Sequence, residues 1–153
     1  MQLIQQDIYS KEYYPHKSTG TLSYITEPIG RWGGWWVMLQ CDWDIVRYYS
    51  WLLKRYGISI HKGSISKAHI SFVKGEKPLN MDCWNKDYGQ IEFEYSHTLS
   101  HNDRGHVWLD VWCPQLQQIR LDLGLTPFKG TNRHMTIGKM DTKNGRLENP
   151  IAH

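Results

Sequence analysis

Ala68-His69-Ile70-Ser71-Phe72 and Arg133-His134-Met135-Thr136-Ile137 are the two stretches on which a reading of this chain turns. Each runs His, apolar, hydroxyl, apolar. Alternate side chains of a strand share a face, so this order predicts two strands. His69 and Ser71 share one face, as do His134 and Thr136, while Ile70, Phe72, Met135 and Ile137 turn to a core. Two imidazoles, each with a hydroxyl two residues on, suit a site that takes a proton from one oxygen and gives one to another. Phosphodiester cleavage without a metal has that requirement.

Outward from these motifs the chain repeats itself. Gly57-Ile58 precedes the first and Gly124-Leu125 the second. Helical spacing precedes each glycine: Ile45, Tyr49, Leu52 and Tyr56 in the first half, Leu116, Ile119 and Leu123 in the second. Asp42 or Asp44 suits an N-cap, Pro114 a first helical turn, and the two glycines C-terminal caps. Before each helix lies an apolar, aromatic strand ending in cysteine, Trp36 to Cys41 and Trp108 to Cys113. The separations from Trp36 to His69 and from Trp108 to His134 are 33 and 26 positions, the difference lying in the longer first helix and its loop. The repeat spans about residues 35–73 and 107–138 of a single predicted domain covering 1–153. It predicts two similar lobes related by a pseudo-twofold axis, with His69 and His134 facing each other across a cleft. Residues 74–90 read as loop, and Ile91 to Tyr95 as a strand reaching a turn at His101-Asn102-Asp103-Arg104-Gly105.

Composition bounds the partners. A length of 153 residues suffices for a real core, and 40% hydrophobic residues is ordinary for a soluble chain. A net charge of +3 fits an anionic ligand but not a coat for long nucleic acid. No apolar run reaches the roughly 20 residues of a membrane span, and Met1 to Ser10 carry no signal pattern. Three cysteines, Cys41, Cys83 and Cys113, show no paired metal spacing, so a reducing cytoplasm is expected. Trp and Tyr number 8 and 9 against 3 Phe, a balance suited to stacking nucleobases as well as to a core. His97, His101, His106 and Asp103 match no common zinc spacing and read as solvated hairpin residues, so neither metal nor cofactor is expected. Lys74 and Lys139 each lie five residues after a histidine. In a regular strand that odd offset turns them away from the cleft, toward solvent, while a twist at Gly75 or Gly138 would bring them round to contact a phosphate.

The paired His-x-Ser/Thr motifs, about 65 residues apart in a duplicated chain, resemble the 2H phosphoesterase superfamily over about residues 35–140. The aromatic stretch Gly30-Arg31-Trp32-Gly33-Gly34-Trp35-Trp36-Val37-Met38-Leu39, the helix running to Tyr56-Gly57, and Asn132-Arg133-His134-Met135-Thr136-Ile137-Gly138 are most similar to the phage anti-CBASS cyclic-oligonucleotide phosphodiesterases. The first motif carries Ser where many relatives have Thr. The resemblance implies an α+β bilobal fold, with two lobes of antiparallel sheet and outer helices around a central cleft. It further implies metal-independent cutting of 3′–5′ bonds in cyclic di- and trinucleotide messengers such as 3′,3′-cGAMP. Evasion of antiphage defence in the host bacterial cytoplasm would follow. His69, Ser71, His134 and Thr136 become the candidate catalytic set, with either histidine fitting either role, and Tyr14, Trp36 and Glu148 the candidates for substrate binding. Two other readings use the same residues differently: a 2′,3′-cyclic phosphodiesterase acting on RNA ends, and a sponge that holds cyclic nucleotides without cutting them.

Overall fold

The computed structural model describes residues 13–28, 33–61, 68–128 and 133–140. Strands β1 (His16–Ile25) and β2 (Trp36–Cys41) lead into helix α1 (Trp43–Arg55), followed by β3 (Ile60–His61) and β4 (His69–Lys74). A short 3₁₀ turn at Met81–Cys83 precedes the hairpin of β5 (Ile91–His101) and β6 (His106–Trp112). Helix α2 (Pro114–Asp122) and β7 (Arg133–Met140) complete the described chain.

Both helices start and stop for local reasons. The Asp42 carboxylate accepts the Asp44 N–H at 2.9 Å and caps α1. Gly57 follows at φ 77°, a left-handed conformation that costs glycine little. The buried stripe of α1 is Val46, Tyr49 and Leu53, one position on from the predicted one except at Tyr49; Tyr56 is 60% exposed. Pro114 opens α2, whose Leu116 and Ile119 are fully buried with Leu123 just beyond it.

The strands run β4-β2-β1-β5-β6-β7, and β7 returns to β4, closing six antiparallel strands into a barrel; β3 joins the end of β7. This corrects the expected architecture. The chain is mostly antiparallel β with two short helices, not two α+β lobes around a cleft. The repeated order strand, helix, His-motif strand is present in both halves. The two His-motif strands, however, bond directly to each other through Ile70↔Met135 instead of standing in separate sheets. Periodicity along the chain specifies each unit, whereas edge pairing is a long-range choice that no local pattern encodes.

A belt of apolar residues runs around the barrel. Leu22, Leu39, Ile70, Met135, Leu109 and Leu99 are successive cross-strand partners on six different strands. Leu39, Ile70, Met135 and Leu109 are completely shut off from solvent, and residues from both helices join the same core.

Candidate functional site

The candidate catalytic side chains flank this belt on the opposite face of the sheet. Continuing the antiparallel Ile70↔Met135 register by one residue each way sets His69 opposite Thr136 and Ser71 opposite His134. Each histidine has a second cross-strand neighbour of different character. His69 pairs with Gln40 on β2, and His134 with Asp110 on β6. All four motif side chains line one cleft of about 660 Å³, together with Trp36, Lys74, Glu76, His106, Arg120, Phe128 and Arg133.

The same irregularity recurs in both halves. Val37 pairs with Val73 but Met38 with Ser71, leaving Phe72 as an extra residue. Val107 pairs with Gly138 but Trp108 with Thr136, leaving Ile137 as the extra one. Each bulge lies three residues after its histidine. A bulge resets the alternation of faces, so Lys74 comes back to the histidine side and lines the cleft. Lys139, opposite His106, occupies the matching register position and is exposed. The expectation that Lys74 turns away is thereby corrected. Aligned on these bulges, Trp36 corresponds to His106 and Met38 to Trp108, two residues off the match through Cys41 and Cys113.

His134 sits in a charged and aromatic setting. Its ring stacks on Trp108 with centroids 4.9 Å apart at 29°, and its Nε2 lies 3.7 Å from Asp110 Oδ1. Asp110 is buried and accepts from Trp108 Nε1 at 3.1 Å and from the Tyr13 hydroxyl at 2.7 Å. Burial, helped by the neighbouring Asp110 carboxylate, pushes the Tyr13 hydroxyl up to about 12. Desolvation holds the His134 imidazole below its ordinary value. Asp110 opposes that shift, while Arg133 and Lys74 reinforce it.

Arg120 reaches from α2 to the cleft wall. It donates to both Glu76 carboxylate oxygens at 2.8 and 2.9 Å, to the Phe72 carbonyl at 2.8 Å and to the Thr126 carbonyl at 2.8 Å. Two guanidinium groups approach the Phe128 ring, Arg120 at 4.6 Å and Arg133 at 3.9 Å from its centroid.

Of the candidates for substrate binding, Trp36 lines the cleft. Tyr14 does not: it is buried against Tyr13 and Trp112. Glu148, like the Gly30-Arg31-Trp32 portion of the aromatic stretch, lies outside the described residues. His97 and His101 are exposed on β5, while His106 lines the cleft and so is more than a hairpin residue. Among the described residues no three His, Cys, Asp or Glu side chains form a metal-ligand set. Reading the sequence missed Asp110, Glu76, Arg120 and Phe128, none of which belongs to a repeated motif. The alternation Trp108-Leu109-Asp110-Val111-Trp112 did hold a signal, a carboxylate on the aromatic face of a strand.

No family model matches the chain, and neither a curated protein nor a solved structure does. Among the described residues no helix is long and apolar enough to cross a membrane.

Proposed function

We propose that this chain is a phosphodiesterase in which His69 and His134 exchange protons across one scissile P–O bond. One observation carries the reading: two His-x-hydroxyl units from distant parts of the chain share a cleft on neighbouring strands. The substrate class rests on the resemblance of the paired motifs to cyclic-oligonucleotide phosphodiesterases. It comprises cyclic di- and trinucleotide messengers with 3′–5′ linkages, whose destruction disarms the antiphage response.

His134 is the general base. Its lowered basicity favours the neutral form that a base requires, and the Asp110 carboxylate at 3.7 Å stabilises the imidazolium that forms as it takes the ribose 2′-OH proton. The freed oxygen attacks the adjacent phosphorus. The P–O5′ bond breaks, and His69, protonated, gives its proton to the departing 5′-oxygen. The product is a 2′,3′-cyclic phosphate on an opened ring. Water then adds with the roles reversed, leaving a 3′-phosphate. Ser71 and Thr136 donate to the non-bridging oxygens as charge builds there. An acid and a base so placed are each worth roughly 10²–10⁴ in rate.

A panel of cyclic di- and trinucleotides incubated with the protein in EDTA and read by mass spectrometry tests the proposal. Cleavage is expected with wild type. His69→Ala and His134→Ala should each lose at least a hundredfold while keeping the wild-type circular dichroism. Intact ligand recovered from wild type after denaturation would instead make the protein a sponge, and near-normal turnover in either variant would sink the two-histidine scheme.

A further inference from the structure

At the end of the cleft beyond Ser71, two buried donors find no acceptor among the described residues. Trp36 is 8% exposed, and its indole Nε1 has no hydrogen-bond partner among the described residues although the residue lines the cleft. The Ser71 hydroxyl, on the same wall, is buried and equally unmatched. Buried polar groups in native proteins are nearly always satisfied, so unmatched donors on two residues that line one cavity point to an absent acceptor. Lys74 is the cross-strand partner of Trp36, and its Nζ stands 5.4 Å from the centre of the indole ring. That contact, together with the burial of Trp36, leaves the ring no open face on which a base could stack. Arg133, resting on Phe128 at 3.9 Å, brings a further positive charge to the same end. Among the described residues lining the cleft the carboxylate is that of Glu76, and both its oxygens accept from Arg120.

We propose that Trp36 Nε1 and Lys74 Nζ form a second anion subsite, which takes the phosphate next to the one being cut. Ser71 pairs with Met38 and Lys74 with Trp36, two positions apart on β2, so the two backbone positions are about 7 Å apart along the strands. The inference rests on the phosphodiesterase reading for its substrate and narrows that substrate to one bearing two phosphates. A 2′,3′-cyclic mononucleotide, with one phosphate, would leave the second subsite empty.

The probes are a cyclic dinucleotide of 2′-deoxyadenosine, which lacks the attacking hydroxyl, and the same ring with one phosphodiester replaced by an uncharged methylphosphonate. Wild type should bind the doubly charged ring about tenfold more tightly by calorimetry. Lys74→Met should bring the two affinities within twofold of each other, mainly by weakening the doubly charged ring. Trp36→Phe, which keeps a ring but removes the N–H, should narrow the gap as well. In ¹⁵N-labelled wild type the Trp36 indole resonance should move downfield with the charged ring and much less with its partner. Equal affinities in wild type, or a Lys74→Met that weakens both rings alike, would overturn the subsite. The two proposals fail separately: binding selectivity without cleavage of the ribose substrates refutes the enzyme and keeps the subsite, and cleavage without selectivity does the reverse.

Discussion

His69 and His134 occupy the same place in the same motif, yet one faces Gln40 and the other Asp110. A neutral amide cannot stabilise an imidazolium as a carboxylate does, and in the proposed scheme this difference gives the base to His134 and the acid to His69. Asp110→Asn keeps the shape and removes the charge. Asp110 raises the basicity of His134, so its loss lowers that basicity further. A base works only when deprotonated, so the rising limb of the kcat/KM profile should move to lower pH in the variant. The maximal rate should fall about tenfold, roughly 1.4 kcal/mol, because the developing cation has lost its partner. A pH–rate profile from 4 to 9 checks both, and an unmoved limb would assign the base elsewhere. At this scale the motif side chains were legible in the sequence because alternation in a strand is a local property. Lys74 was not, since its direction depends on one extra residue, Phe72, and nothing in the composition of Phe72-Val73 marks a bulge.

Helix α2 does more than bury Leu116 and Ile119. Through Arg120 it holds the Phe72 carbonyl at the bulge, Glu76 after β4 and the Thr126 carbonyl beside Phe128, three separate parts of the cleft wall. Arg120 is 4% exposed, so Glu76 supplies the counter-charge that its burial calls for. That pairing, chiefly through the hydrogen bonds from Arg120, holds the Glu76 carboxyl below its usual range. The stability it contributes is therefore complete above the unfolded carboxyl pKa near 4.3 and declines as pH falls toward the lower folded value. Glu76→Gln should cost about 1–2 kcal/mol at pH 7, less than a fully buried pair would, because the Glu76 side chain is 41% exposed to water. The deficit should shrink below pH 4. Urea titrations of both proteins at pH 7 and pH 3.5 measure the two gaps, and a constant gap would contradict the ion pair. Both helices were legible from Asp42, Pro114 and the two glycines, because caps are local. The Arg120–Glu76 link was not, as it joins residues 44 positions apart.

The two halves do not stand apart as lobes, and the catalytic proposal depends on that. His69 and His134 come together because β4 and β7 form the seam at which the barrel closes, with Ile70 and Met135 at its centre. The repeat was legible in the sequence down to its strand–helix–strand order. Its assembly was not, since two such units can pair edge to edge or stack as separate sheets with the same apolar pattern. One belt of side chains from Leu22 through Ile70 to Leu99 makes the barrel a single packing unit, and such a unit unfolds as a whole. Far-ultraviolet circular dichroism and tryptophan fluorescence should therefore report coincident urea transitions. Ile70→Ala, at the middle of the belt, should lower that one transition by about 2–4 kcal/mol in both signals, as cavities in closed cores do. Independent lobes would behave differently, losing the half that carries β4 first and leaving the fluorescence of Trp108 and Trp112 to follow in a second step.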